Sequence, residues 1–177
     1  MNNIEKNKTT NVVARSIAKQ PRAQLTEAQR ASLSKEISTL VREALDFGAA
    51  CKDVVDLLHN EVEAYDWTGV YMVDGDYLQT IYYRGDPTPH EKIKIGEGVC
   101  SLAVSREETV IIPDVSKEPV YLSCSGKTKS EIVVPLIKKG KVIGEIDIDS
   151  HTLDAFGEND KQLLEKAAYL LSRAFEK

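Results

Sequence analysis

The chain has 177 residues, of which 42% are hydrophobic and 29% charged, and this length and composition are typical of one globular domain. The formal net charge is −5, but residues 1–40 carry +4 and the remaining residues carry −9. An acidic body excludes the nucleic-acid-binding class, because a phosphate backbone requires a basic face. There is no run of about 18 apolar residues, so we expect no membrane span. Three cysteines and a polar N-terminus predict a reducing, cytoplasmic location.

The first part of the chain is predicted to be an arm followed by two helices. Residues 1–25 lack apolar periodicity and are expected to form a flexible basic arm, with a single domain over residues 26–177. A first helix is predicted over Thr26–Phe47, because Thr26 and Gln29 fit a capping box and Gly48 is a natural helix stop. A second helix is predicted over Ala50–Tyr65. The apolar stripe of the first helix consists of Leu33, Ile37, Leu40, Val41 and Leu45.

The middle of the chain is rich in β-formers and turn signals, which predict strands. Asp74-Gly75-Asp76 and Lys138-Lys139-Gly140-Lys141 each separate two such runs and predict two hairpins. Hairpins make antiparallel pairs, so the predicted fold class is α/β in the broad sense (α+β), with helices packed on a largely antiparallel sheet. In order, the predicted elements are strands over 67–73, 77–84 and 93–95, a short helix over 99–106, strands over 109–113, 131–137 and 142–150, and a helix over 158–175.

The segment Gly144–Ser150, GEIDIDS, has an unusual pattern of acidic residues for a strand. Side chains alternate between faces, so Ile146 and Ile148 share one face while Glu145, Asp147 and Asp149 share the other. One interpretation is an acidic, solvent-exposed face. The alternative is a pocket that holds an ammonium group or donates a proton, in which crowded carboxylates raise one another's pKa.

Two cysteines are candidates for thiol chemistry. Cys124 lies in the long polar segment Asp114–Ser130, where Lys127 and Lys129 favour its thiolate; it could equally be a surface or packed cysteine. Cys100 begins a short helix, which also favours a thiolate, but its apolar neighbours fit a core residue. Cys51 is interpreted as packing.

Two further groups of residues allow a functional or a structural interpretation. Trp67, Gly69 and Tyr71 share one face of a strand, and the glycine leaves room either for a ligand between the two rings or for plain core packing. Cys100 and Cys124 could bind a metal with a histidine. No pair of candidate ligands has recognisable spacing, so we expect no metal and no cofactor.

Several segments in the same order resemble the GAF domain family, and within it the free methionine-(R)-sulfoxide reductases. The resemblance covers roughly Asp66 to Phe175. The segments are WTGVY (Trp67–Tyr71), GEGVC (Gly96–Cys100), PDV (Pro113–Val115), CSGKTKSEIVVPL (Cys124–Leu136) and GEIDIDS (Gly144–Ser150).

The resemblance implies an enzyme that reduces a free amino-acid-like small molecule. It puts the catalytic cysteine at Cys124 and a further cysteine at Cys100. It puts the groups that hold the amino and sulfoxide functions at Glu131, Asp147 and Asp149, and an aromatic wall at Trp67 and Tyr71. A thioredoxin-like reductant would then recycle the enzyme. From the apolar stripe of the first helix we also expect a homodimer.

Two positions depart from the family pattern. His90 stands where the family usually has a resolving cysteine, and Glu145 stands where it tends to have an aliphatic residue. Many GAF domains bind without catalysis, so a non-catalytic sensor or binding module is the alternative function.

Overall fold

The computed structural model describes residues 24–119, 122 and 126–175, which form four α-helices and six strands. A short 3₁₀ turn covers Val115–Lys117. No helix in the described residues is long and apolar enough to cross a membrane. The helices are α1 (Glu27–Glu43), α2 (Phe47–Glu61), α3 (Gly98–Arg106) and α4 (Glu158–Ala174). The strands are β1 (Trp67–Asp74), β2 (Tyr77–Arg84), β3 (Lys92–Lys94), β4 (Val110–Ile112), β5 (Ser130–Lys138) and β6 (Lys141–Ser150).

The six strands form one antiparallel sheet in the order β3-β2-β1-β6-β5-β4. Both predicted hairpins are present, as β1–β2 and β5–β6. The strands β1 and β6, which are far apart in the chain, pair at the centre of the sheet. This pairing places the acidic segment of β6 between β1 and β5. The antiparallel sheet and the four helices confirm the predicted α+β fold class.

The sheet separates two hydrophobic cores. Helices α2 and α4 pack on one face, where Ile146 and Ile148 of β6 are completely buried, and α1 packs against α2 and α4. The short helix α3 packs on the other face against β5 and β6. Alternation along β6 therefore sends isoleucines to the three-helix side and carboxylates to the α3 side, as strand geometry requires.

The boundary between the first two helices differs from the prediction. Helix α1 ends at Glu43, and α2 begins at Phe47 with Gly48 in its first turn rather than at a stop. The reason is Asp46, whose carboxylate accepts a hydrogen bond from the Ala49 amide at 2.8 Å and caps α2. Since α1 has ended before it, Leu45 leaves the apolar stripe and is 97% exposed.

The rest of the apolar stripe of α1 is used within the chain. Leu33, Ile37 and Val41 are buried in the same core as α2 and α4. Of the predicted arm, residues 1–23 lie outside the described part of the chain. Leu25 is buried, and its amide donates to the Asp160 carboxylate at 3.2 Å, so this residue packs with the domain.

The predicted capping box at the start of α1 is confirmed, and its removal should destabilise the fold modestly. Thr26 Oγ1 accepts from the Gln29 amide at 3.3 Å, and the Gln29 side chain accepts from the Thr26 amide at 3.0 Å. We expect Thr26→Ala to lower the free energy of unfolding by about 1 kcal/mol, measured by urea denaturation. Ser32→Ala, an exposed substitution inside α1, is the control and should change it little. An unaltered Thr26→Ala protein would show that the cap contributes nothing.

Candidate functional site

Four carboxyl groups meet on the α3 face of the sheet, and we call Glu131, Glu145, Asp147 and Asp149 the acidic cluster. Three of them follow one another along that face of β6, and Glu131 pairs directly with Asp149 across the β5–β6 ladder. Residues opposite each other in an antiparallel pair have Cβ atoms about 5 Å apart. The sequence prediction that Asp147 and Asp149 share a face with Glu131 is confirmed, as is the opposite placement of Ile146 and Ile148.

The acidic cluster is buried, which excludes the interpretation of a solvent-exposed face. Glu131 is 4% exposed and the three acidic residues of β6 are at most 2% exposed. Neither oxygen of Glu145, nor Oδ1 of Asp147, nor Oδ2 of Asp149, has a hydrogen-bond partner among the described residues. Ion pairs in the described part of the chain join none of the four to a lysine, arginine or histidine. Buried acids without partners are costly, so this arrangement needs a chemical reason.

Helix α3 brings a thiol to the acidic cluster. Cys100 is 4% exposed, and its Sγ lies 3.5 Å from Oδ2 of Asp147, at hydrogen-bond distance for sulfur. One ligand atom each from Cys100, Glu131 and Asp147 lies within 4.8 Å of the other two. Cys100 is therefore a buried residue that also borders the acidic cluster, and its part in thiol chemistry stays a prediction.

Burial controls the electrostatics of the acidic cluster. Loss of water raises the pKa of Asp147 to about 7, although the hydrogen bond from Cys100 opposes the rise. Burial also raises the pKa of Glu131 and of Asp149, and the charge of Asp147 adds to both shifts. Burial and the charge of Asp147 also raise the pKa of Glu145, while the nearby Cys100 thiol opposes the rise. These carboxyl groups can therefore hold protons near neutral pH and can act as acids.

These pKa shifts predict that the folded protein loses stability as the pH rises. A carboxyl group with a raised pKa in the folded state binds protons more readily there than in the unfolded chain. Its contribution to the stability of the fold is therefore complete below its ordinary pKa, about 4 for Asp. For Asp147 that contribution is lost as the pH rises from about 4 through about 7. We expect a lower urea midpoint at pH 8 than at pH 5. Asp147→Asn should flatten the dependence, and the exposed turn substitution Asp76→Asn should not. A midpoint that rises with pH would contradict the assignment.

The aromatic residues of β1 border the acidic cluster. Trp67 pairs with Asp149 and Tyr71 pairs with Glu145 across the β1–β6 ladder. The Tyr71 hydroxyl donates to the backbone carbonyl of His90 at 3.0 Å. This contact brings the backbone of His90, the position of the family's resolving cysteine, next to the aromatic wall.

The space beside Gly69 is filled, which favours core packing over the alternative of a ligand between the two rings. A Cβ on Gly69 would lie 2.3 Å from Cη2 of Trp67, so the indole ring covers the glycine. Tyr83 pairs with Gly69 across β1–β2 and stacks on Trp67, with ring centroids 5.3 Å apart. Sequence reasoning missed Tyr83. Counting back from the hairpin turn would pair Gly69 with Tyr82, because the irregularity between Val70 and Tyr71 that shifts the register by one residue leaves no signal in the sequence.

The other two cysteines are Cys124 and Cys51. Cys124 is outside the described residues, so its predicted place in the site stays a prediction. Cys51 is completely buried on α2 in the three-helix core, and burial raises its pKa to about 12. A thiol with that pKa is inert at neutral pH, which agrees with its interpretation as packing.

Residues 46–175 match the GAF domain, and the chain belongs to this family. Over 113 residues it is 41% identical to a free methionine-R-sulfoxide reductase of Saccharomyces cerevisiae, covering 62% of each protein. It is 30% identical to the enzyme of that name from Escherichia coli, over 81% of this chain and 86% of that protein. The chain spans less than two thirds of the length of two curated relatives that it matches at 41% identity.

A solved structure shows the same fold. The free methionine-R-sulfoxide reductase of Neisseria meningitidis, crystallised in complex with its substrate, superimposes with a TM-score of 0.81 and 31% identity. The match covers 87% of this chain and 93% of that one. The described fold is thus that of a GAF domain.

Proposed function

We propose that this protein reduces free methionine-(R)-sulfoxide to methionine. The observation that carries the proposal is the acidic cluster, which is buried without a cation among the described residues. A free amino acid supplies an ammonium group that can pair with such carboxylates, whereas a methionine within a peptide has no ammonium group next to its side chain. Relatives named for this reaction share the fold and a substantial part of the sequence.

We assign substrate binding to five residues. Glu131, Asp147 and Asp149 hold the ammonium group and the sulfoxide oxygen, and Trp67 and Tyr71 form an apolar wall for the methyl group. The acids fit this role because burial raises each pKa, so that one can donate a proton while another accepts the ammonium group.

The proposed reaction begins at Cys124. Its thiolate attacks the sulfoxide sulfur while a carboxylic acid of the acidic cluster gives a proton to the oxygen. The sulfur–oxygen bond of the substrate then breaks and the oxygen passes to the cysteine sulfur. The products are methionine, reduced by two electrons, and a Cys124 sulfenic acid.

Recycling returns the sulfenic acid to the thiolate. A second thiol condenses with it to form a disulfide and releases water, and Cys100 is our candidate because it lies at the acidic cluster. A thioredoxin-like dithiol then reduces the disulfide. A protein with catalytic thiols of this kind works in a reducing compartment, so we propose the cytoplasm.

The proposal is tested with the purified full-length protein. Incubation with free methionine-(R)-sulfoxide and dithiothreitol should yield methionine, quantified by chromatography. The (S) epimer and N-acetyl-methionine-(R)-sulfoxide, which lacks the ammonium group, are the matched controls and should yield little. Formation of no methionine, together with a ligand-induced rise in melting temperature, would contradict the enzyme and favour the sensor.

The homodimer remains a prediction of the sequence, now with a different contact surface. Three of the residues that motivated it, Leu33, Ile37 and Val41, are buried within the chain, so a dimer has to use a part of this segment that stays exposed, such as Leu45. We expect sedimentation velocity at micromolar concentration to give a dimer, shifted towards monomer by Leu45→Glu. A clean monomer would refute the prediction.

A further inference from the structure

We propose that the basic N-terminal segment, residues 1–23, docks on the outer edge of β4 in its own chain. We call this surface the β4 edge. It consists of the strand itself, Glu107 and Glu108 before it, and Asp114 and Asp154 at its other end. None of these residues belongs to the acidic cluster, and the proposal does not depend on the reductase reaction.

The two edge strands of the sheet differ in how they are protected. An edge strand presents unpaired backbone groups that invite association, so natural proteins place charges on it or cover it. At one edge, β3 has the sequence Lys-Ile-Lys, and both Lys92 and Lys94 are exposed. At the other edge, β4 has the sequence Val-Ile-Ile and no charged side chain. No strand of the described residues pairs with the outer side of β4, so we expect another segment of the chain to cover it.

Apolar side chains are accessible at both ends of β4. A cleft of about 560 Å³ at the end of the strand is lined in part by Ile112, Pro113 and Leu153, and Leu153 is 53% exposed. A second cleft, of about 390 Å³, includes Thr109 just before the strand and Tyr169 of α4, which is 56% exposed. A segment that lies along β4 can therefore bury apolar surface at each end.

Charge complementarity indicates which segment covers the β4 edge. The two clefts are together lined by six carboxylate side chains and two lysines. Hydrogen bonds from Ser116 and Lys117 hold the pKa of Asp114 below its ordinary value, so this group is charged at neutral pH. Residues 1–23 contain five basic residues and one acidic residue, and they are attracted to such a surface. The basic residues are Lys6, Lys8, Arg15, Lys19 and Arg22.

The N-terminal segment joins the domain beside the β4 edge. Gln24, where the described part of the chain begins, donates from Nε2 to the Asp154 carbonyl at 3.2 Å. The Asp154 amide in turn donates to the carbonyl of Pro113, directly after β4, at 2.9 Å. An extended segment of this length reaches about 75 Å, several times the length of β4. Because a tethered segment has an effective concentration on the order of millimolar, weak contacts are sufficient to hold it.

Carbodiimide cross-linking of the full chain tests the proposal, because it joins only amines and carboxyl groups that are in contact. Mass spectrometry should find Lys19 joined to carboxyl groups of the β4 edge, and rarely to Asp76, an exposed control in the β1–β2 turn. Cross-links to the β4 edge should fall at least about threefold in about 1 M salt, which screens surface charges.

Hydrogen exchange on the full chain gives a second readout. Reversing two charges in Arg15→Glu/Lys19→Glu should speed exchange of the β4 amides about tenfold and leave β3 unchanged. The matched control, Lys35→Glu/Arg42→Glu, reverses two exposed charges on α1 and should leave β4 unchanged. Circular dichroism checks that each variant is folded.

A mixture of unlabelled and heavy-isotope-labelled chains distinguishes the two sources of the segment. Cross-links that carry a single isotope form within one chain and support the proposal, whereas a majority of mixed-isotope cross-links would assign the segment to a second copy and overturn it. Cross-links to Asp76 as frequent as those to the β4 edge would also overturn it, as would unchanged exchange of β4 in Arg15→Glu/Lys19→Glu. None of these measurements uses methionine sulfoxide, so they are independent of the reductase assay.

Discussion

Cys124→Ser is expected to abolish methionine formation, by a factor on the order of 10³ or more. A serine hydroxyl at its ordinary pKa does not replace a thiolate as the nucleophile, and it cannot carry the sulfoxide oxygen as a sulfenic acid. Turnover of free methionine-(R)-sulfoxide with dithiothreitol, compared with the parent protein, measures the loss. The reductase mechanism fails if the serine variant retains parental turnover.

The other two cysteines make this experiment specific. Cys100→Ser should still release about one methionine per chain in a single turnover, because attack by Cys124 precedes recycling, but it should slow later turnovers. Cys51→Ala should keep full activity, since Cys51 lies in the three-helix core on the other face of the sheet from the acidic cluster. A Cys51→Ala protein as inactive as Cys124→Ser would indicate a general loss of folding.

A comparison of two reductants tests how the enzyme is recycled when His90 stands where the family usually has a resolving cysteine. If Cys100 cannot reach Cys124, no disulfide forms and dithiothreitol should support turnover better than thioredoxin does. A bridge needs Cα atoms within about 7 Å. Equal rates with both reductants in the parent, with the thioredoxin-supported rate lost in Cys100→Ser while dithiothreitol still supports turnover, would assign the resolving role to Cys100 and show that this chain does not need a cysteine at position 90.

Glu145→Val is expected to stabilise the folded protein by about 2 kcal/mol. Glu145 is completely buried, and neither carboxyl oxygen is hydrogen-bonded to a described residue. Valine removes these unsatisfied atoms, has a similar volume and suits a central strand. Because burial raises the pKa of Glu145 in the folded state, this carboxyl group contributes less to the parent's stability as the pH rises. The stability gained by Glu145→Val should therefore be greater at pH 8 than at pH 5.

Urea denaturation of the parent and the variant at both pH values measures this effect. Glu145→Gln is the control, because it removes the charge but keeps two polar atoms buried, and it should recover only part of the gain. A Glu145→Val protein that is less stable than the parent would show that this carboxyl group makes a favourable interaction at the acidic cluster.

Local pattern by itself determined most of the secondary structure. The two hairpins, the capping box at Thr26 and the separation of Ile146 and Ile148 from the carboxylates follow from interactions between near neighbours and from the two-residue period of a strand. The end of α1 was misplaced because Gly48 signals a helix stop while Asp46 caps a new helix, and local pattern does not rank the two.

Tertiary structure alone decided whether the carboxylates of β6 face solvent or a closed site. Strand alternation specifies which residues share a face but not what covers that face. Here α3 covers it and brings Cys100 to Asp147 from 47 positions away in the chain. Likewise, the sequence left open whether a ligand or core packing fills the space beside Gly69, and the Trp67 ring, stacked on Tyr83, fills it. Burial, and with it the raised pKa of Asp147, depends on packing between distant elements, which no local pattern contains.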